Sequence, residues 1–287
     1  MIAVTPLDAP FGAEITGVDI ANGLGAGEMR EVVACLHEHR FIVIRDQSLD
    51  PAQFLAFGEA WGRPHPHVLD HLRMPGFPAI MEIGNTQEKD RTDDIRNGAA
   101  FWHTDQSYET EPASATLLYA IEVPGHGGQT QIADMAGAYD ALADAMKVRI
   151  EGLQALHFYG AAAGRDGENI AVPIINETQK NKVPPVPHAI ARAHPITGRK
   201  AIYAVAGTPF AIEGMADEEA LALLAALKAH ALEERFIYRH AYRSSDIAIW
   251  DNAATLHSAT PIDVANGKDT RRHLYRISVK GRPGVCE

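Results

Sequence analysis

His103 and Asp105 stand two residues apart in the stretch Phe101-Trp102-His103-Thr104-Asp105. In an extended strand successive side chains point to opposite faces. That places this imidazole and this carboxylate side by side, with Trp102 and Thr104 on the other face. Such a pair can grip one divalent metal ion. A further donor, His257, stands in Leu256-His257-Ser258, shortly after Trp250-Asp251-Asn252. Two histidines and one carboxylate on one face, with open positions opposite, make the facial triad of non-heme Fe(II) oxygenases. One His-x-Asp in a chain of 14 histidines carries little weight alone,. Its weight comes from the residues that accompany it.

Near the C-terminal end, Thr270-Arg271-Arg272-His273-Leu274-Tyr275-Arg276 puts Arg272, Leu274 and Arg276 on one strand face,. Two guanidiniums directed into one interior are costly unless anions meet them. The structural alternative is that both snorkel outward or pair with neighbouring carboxylates. Thr130 follows the turn Pro124-Gly125-His126-Gly127-Gly128 and opens a strand, where a hydroxyl can join an arginine in holding a carboxylate,. The formal net charge is −11, so the global field does not draw in anions. Any anionic ligand must be met by local cations.

The elements that position these residues are mostly strands. Short strands are expected at 11–20 and 79–83, and a buried strand at 40–46, a continuous apolar run capped by charges,. Further strands are expected at 113–123, 129–133, 201–205, 235–242, 246–250 and 271–280. Helices are predicted at 28–39, from Pro51 behind an Asp50 N-cap, over 136–156 and at 217–232,. Residues 160–188 show no period and are rich in Gly, Asn, Lys and Pro, so an active-site lid or a partly disordered segment is expected there,. With many strands and no βαβ alternation, a closed or double-sheet β architecture with helices packed outside is expected. No repeat or linker divides the chain, so residues 1–287 are expected to form one domain.

At 287 residues with 46% hydrophobic and 22% charged residues, the composition is that of an ordinary globular chain,. The acidic balance argues against nucleic acid as a partner. Cys35 and Cys286 are the two cysteines, too few for a disulfide framework or a multi-cysteine zinc site,. The N-terminal residues have neither the basic segment nor the apolar core of a signal peptide, and no apolar run is long enough to span a membrane,. A cytoplasmic protein is expected, with a homo-oligomer left open.

Taken together, the motifs at Trp102–Asp105, Pro124–Thr130 and Asp246–Asn252, with the late His257 and the arginines 272 and 276, resemble the taurine dioxygenase and 2,4-dichlorophenoxyacetate dioxygenase family. The resemblance runs from residues 12–19 through the final strand. It implies a double-stranded β-helix, the jelly-roll, cupin-like fold, mainly β with flanking helices. It also implies Fe(II), with 2-oxoglutarate and O₂ as cosubstrates. Carried over by position, His103, Asp105 and His257 match the iron ligands, while Thr130 and Arg272 match the holders of the distal 2-oxoglutarate carboxylate. Arg276 matches the arginine that faces an anionic group of the primary substrate. His67, or His65 two residues earlier, matches a substrate-contacting histidine. Tyr108 stands where an aromatic, usually phenylalanine, follows the aspartate. Gly98-Ala99-Ala100-Phe101 replace the segment that carries a substrate-contacting asparagine in taurine dioxygenase. Asp105 sets the chain apart from halogenating relatives, which have a small residue there. The implied activity is hydroxylation of an unactivated C–H of a small organic anion, such as a sulfonate, aryloxyalkanoate or amino-acid derivative, with release of succinate and CO₂. A metal-dependent hydrolase and a non-catalytic jelly-roll binding protein are the alternative classes; the first does not need Thr130, Arg272 and Arg276 arranged for a dicarboxylate, and the second does not need three matched metal ligands.

Overall fold

The computed structural model describes residues 2–67, 70–87, 92, 96–159 and 184–286. Its largest sheet runs, in spatial order, through Ala3–Pro6, Ala13–Thr16, Phe41–Ile44, Ile247–Asp251, Ala115–Glu122, His273–Lys280, Phe77–Gly84 and Arg73–Met74, with Arg63–Pro64 also paired to His273–Lys280. A smaller sheet is built from Ile237–His240, Thr130–Asp134 and Thr255–Ala259.

Phe41–Ile44 is buried at every position, and the cause is that both faces of its sheet are covered. Phe41 and Val43 enter an inner core with Leu118, Ala120, Ala248, Trp250 and Leu274, and meet Ile132 of the smaller sheet. The residues between them turn the other way. Ile42, Ile44, Leu117, Tyr119, Ile247, Ile249, Ile277 and Val279 pack with Val32, Val33, Leu36, Phe54, Phe57 and Trp61 of the helices Ala26–His39 and Pro51–Trp61. Strict alternation with two apolar sides gives the unbroken hydrophobic runs seen in the sequence. The result is a jelly roll, mainly β, with helices on the outer face of the larger sheet. Pro51–Trp61 starts as expected: Asp50 accepts from the Gln53 N–H at 2.8 Å and Gln53 accepts from the Asp50 N–H at 2.9 Å,.

The structure corrects two expectations. The helix predicted over 136–156 is two short helices, Met135–Asp140 and Asp144–Ile150, followed by the strand Gln154–His157. Tyr139, Leu142, Met146, Ile150 and Leu153 keep helical spacing across the break, so periodicity alone could not reveal it. Lys147 Nζ donates to the Asp140 carbonyl at 2.8 Å, closing the first helix end,. Gly152, at φ +77, turns the chain into a strand that pairs on both sides, with Val186–Ala189 and Pro209–Ile212. Pairing on both edges overrides helical propensity. Secondly, no strand was expected between 250 and 271, yet Thr255–Ala259 is a strand at the edge of the smaller sheet. Of the segment 160–188, residues 160–183 lie outside the described residues, while Val186–Ala189 is a strand whose first three residues fall within that segment. Among the described residues no helix is long and apolar enough to cross a membrane.

Candidate metal and cosubstrate site

His257 sits mid-strand in Thr255–Ala259, and its backbone exchanges two hydrogen bonds of 2.9 Å with that of His103. The expected strand over 101–105 reduces to this one bridge, and Asp105 already lies in a turn. His103 and Asp105 reach one side because the chain bends there. The three ligand atoms nonetheless fall within 4.8 Å of one another. Nε2 of His103 and Nε2 of His257 each lie 3.6 Å from the same oxygen, Asp105 Oδ1.

Protonation of these groups suits a metal. His103 Nδ1–H donates to the Phe101 carbonyl at 2.8 Å, which leaves the Nε2 lone pair facing the centre,. Burial pushes His257 down to about 4, so its imidazole is neutral at neutral pH. Burial works against the Asp105 carboxylate, but Arg276 and the two imidazoles outweigh it and hold the carboxyl well below its ordinary range,. Two imidazoles and one carboxylate are the donors that non-heme iron takes.

A second group of the same composition, His37, His194 and Asp251, shows what an unsuitable arrangement looks like. His194 Nδ1 accepts the backbone N–H groups of Ile196 and Thr197, at 3.2 and 3.0 Å. Its proton therefore sits on Nε2 and is donated to Asp251 Oδ2 at 2.9 Å. No lone pair is left to face a metal, so this group holds the fold together.

The first triad lines a cavity of about 180 Å³ that also reaches Thr130, Arg272, Arg276, His67, Tyr108 and Tyr159. Arg272 is 5% exposed, and among the described residues no acidic side chain pairs with it. Its Nε donates to the Gly128 carbonyl at 3.3 Å. Burial lowers its pKa, with Tyr242 acting weakly the other way. The close approach explains the glycine turn: Gly128 has φ +66, and a Cβ there would stand 3.0 Å from Arg272 Cδ,. Thr130 Oγ1 lies 2.7 Å from Tyr242 Oη, whose phenol burial pushes up to about 12. A buried guanidinium lacking an acid, beside two hydroxyls, fits a carboxylate. Tyr242 carried no signal in the sequence, since its partner Thr130 is 112 residues away.

Arg276 turns into the same cavity and contacts Asp105 Oδ1 at 2.6 Å, so the triad itself supplies an acidic neighbour. Its Nη1 meets Met81 Sδ at 3.2 Å, a weak acceptor that a carboxylate readily replaces,. His67 lines the cavity, and enclosure with the nearby Arg276 pushes it down to about 3. His65 instead lies 3.5 Å from Glu109, which also binds Lys280. Of the two histidines considered from the sequence, the cavity therefore takes His67. Tyr108 is buried edge-on against Tyr159, and its hydroxyl has no partner among the described residues.

Buried histidines make stability depend on pH. Burial is the main cause that pushes His157 and His240 down to about 3 and His257 to about 4, from an ordinary 6.5. The unfolded chain takes up these protons near pH 6.5, whereas the folded chain refuses them until about 3–4. Their contribution to stability is thus complete above pH 6.5 and drains away as the pH falls towards 4, by up to about 1.4 kcal/mol per pH unit for each histidine,. Urea unfolding of the metal-free protein at roughly pH 7.5, 6 and 5 should show midpoints falling at each step. Constant midpoints would mean that these histidines are not held neutral.

A jelly roll with a two-histidine, one-carboxylate centre and an adjoining carboxylate pocket defines a non-heme iron oxygenase that takes a 2-oxo acid as cosubstrate. The chain belongs to the taurine catabolism dioxygenase TauD, TfdA family, matched over residues 3–278. It is 30% identical over 281 residues to the alpha-ketoglutarate-dependent 2,4-dichlorophenoxyacetate dioxygenase of Cupriavidus pinatubonensis, covering 94% of this chain and 96% of the relative. It is 32% identical over 292 residues to the (S)-phenoxypropionate/alpha-ketoglutarate-dioxygenase of Sphingobium herbicidovorans, covering 98% and 95%. A crystal structure of AAD-2 in complex with Mn(II) and N-oxalylglycine superposes with a TM-score of 0.80 at 28% identity, covering 98% of both chains. The chain is accordingly an alpha-ketoglutarate-dependent dioxygenase that uses Fe(II), 2-oxoglutarate and O₂.

Proposed function

We propose that His103, Asp105 and His257 hold the iron and that Arg272 and Thr130 anchor the distal carboxylate of 2-oxoglutarate. The primary substrate is a small organic anion, hydroxylated at an unactivated C–H. The observation that carries this reading is Arg272: a buried cation without an acidic partner among the described residues, on the cavity that the triad lines. A hydrolase or a non-catalytic binding protein has no use for it. When bound, iron and 2-oxoglutarate supply the oxidation: one oxygen atom of O₂ enters the substrate and the other the succinate, with loss of CO₂. The protein's part is to hold and exclude. His103 presents Nε2 because Phe101 fixes its proton on Nδ1. Tyr242 steadies the Thr130 hydroxyl. Phe101, Leu72 and Met81 supply apolar walls for the body of the substrate, and Tyr108 offers a donor to its polar part. Both named relatives act on phenoxy carboxylates, which suits a cavity with apolar walls and, besides Arg272, the guanidinium of Arg276 on its lining. Aryloxyalkanoates thus head the list, with sulfonates and amino-acid derivatives after them.

The test is substrate-dependent succinate formation across that panel with Fe(II), 2-oxoglutarate and O₂. Arg276 should read the substrate charge. Comparing a good substrate with its neutral amide, wild type should favour the anion by about 1.5–3 kcal/mol, the worth of a hydrogen bond to a charged group. In Arg276→Ala that margin should largely vanish. Equal discrimination in both proteins would remove Arg276 from substrate recognition.

A further inference from the structure

The carboxylate of Asp105 has two oxygens, and they meet different surroundings. Oδ1 faces both histidines at 3.6 Å and Arg276 at 2.6 Å. Oδ2 is turned away from them and accepts a hydrogen bond of 2.6 Å from the hydroxyl of Thr116. Thr116 lies on the inward face of the strand Ala115–Glu122, two residues before Leu118. The hydroxyl is fully enclosed, with Thr116 and Asn252 both 0% exposed.

The direction of each bond in this group follows from which atoms carry hydrogen. Asn252 Nδ2 can only donate, and it reaches Thr116 Oγ1 at 2.9 Å,. Ser278 Oγ lies 3.2 Å from the same oxygen. The single proton of Thr116 goes to the strongest acceptor present, the ionised carboxylate, as the 2.6 Å length indicates,. Ser278 must then donate inward. Thr116 thus receives from two donors and gives its proton to Oδ2, and the aligned chain strengthens that last bond. Asn252 also steadies the segment that bears the ligand, because its Oδ1 accepts the Asp105 backbone N–H at 3.4 Å.

We propose that Thr116, oriented by Asn252, is a positioning residue that holds Asp105 to one-oxygen ligation. With Oδ2 committed to Thr116, the carboxylate offers only Oδ1 to a metal on the histidine side. A metal held there would keep its remaining positions for a 2-oxo acid and O₂. A carboxylate free to swing would offer that metal both oxygens and take up one more of them. The proposal rests on the reading of His103, Asp105 and His257 as the metal ligands, and it assigns a role to residues that do not touch the metal.

The test uses full-length wild type, Thr116→Val, Thr116→Ser and Asn252→Asp, titrated anaerobically with Co(II) and followed by the metal's visible absorption. Thr116→Val keeps the shape and removes the hydroxyl. It should weaken Co(II) binding by about 10–100-fold, the usual effect of losing an outer partner of a ligand. It should also shift the absorption bands as Oδ2 joins the metal. Thr116→Ser restores the hydroxyl and should restore both. Asn252→Asp, nearly isosteric, replaces a donor by an acceptor that competes for the Thr116 proton, and should give the same spectral shift even if Thr116→Val does not fold. If wild type binds Co(II) and folded Thr116→Val matches it in affinity and spectrum, the proposal is overturned. Unchanged bands in Asn252→Asp overturn it equally. Failure of wild type to bind metal at all would instead overturn the ligand assignment on which the proposal rests.

Discussion

Replacing His257 with Ala is expected to reduce substrate-dependent succinate formation to background while leaving the fold in place. The two bonds that tie His257 to His103 are made by backbone atoms and do not need the imidazole. What disappears is one of three ligand nitrogens and oxygens that lie within 4.8 Å of one another, together with the ring contact to Trp250 at 4.6 Å. Among the described residues the Nδ1 atom of His257 has no hydrogen-bond partner, so truncation orphans none of their buried polar groups at that atom. Loss of an outer partner alone weakens metal sites by about 10–100-fold, and loss of a direct ligand should exceed that. The measurement is succinate release together with metal retained after dialysis. Wild-type turnover in the variant would take His257 out of the triad.

Arg272→Leu is expected to raise the 2-oxoglutarate KM by about 30-fold or more, because truncating one partner of a buried, hydrogen-bonded charge pair costs on the order of 2–5 kcal/mol. Thr130→Val removes a single neutral hydroxyl, and roughly 1 kcal/mol, or about fivefold, is expected. The ligand-free protein should respond in the opposite sense. Arg272 is a desolvated cation without an acidic partner among the described residues, and replacing such a charge with an apolar side chain is expected to be neutral or stabilising. Arg272→Leu should therefore melt no lower than wild type without 2-oxoglutarate, and should lose most of the stabilisation that 2-oxoglutarate gives. Should the variant keep its 2-oxoglutarate KM and change only the KM of the primary substrate, the roles of Arg272 and Arg276 are reversed.

The parts of the site that could be read in the sequence are those carried by short, ordered motifs. His103, Asp105, His257, Thr130, Arg272 and Arg276 were all named from their motifs, and all line one cavity. The route to that arrangement was less legible. Alternation along a strand suggested how His103 and Asp105 share a side, yet a single bridge and a turn do the work. The strand that carries His257 escaped notice because Thr255, His257 and Ser258 are buried polar residues that break the apolar pattern. The helix expected over 136–156 failed for the converse reason: a regular stripe runs across the gap between two helices and into a strand that pairing with distant segments fixes. Tyr242, Thr116 and Asn252 act through partners 112, 11 and 136 positions away, and no local pattern reports such pairs. The choice between His65 and His67 needed geometry too, since it turns on which one Glu109 claims.

The most direct test of the central claim is calorimetric titration of 2-oxoglutarate into anaerobic, Fe(II)-loaded protein, comparing wild type, Asp105→Ala and Arg272→Leu. Wild type should bind one 2-oxoglutarate per chain, and only weakly when iron is left out. Asp105→Ala should fail to retain iron and should bind no better than the iron-free wild type. Arg272→Leu should retain iron and bind 2-oxoglutarate weakly. Binding of 2-oxoglutarate that is indifferent to iron, or an Asp105→Ala protein that holds iron as tightly as wild type, would contradict the assignment of this cavity as an Fe(II)/2-oxoglutarate site.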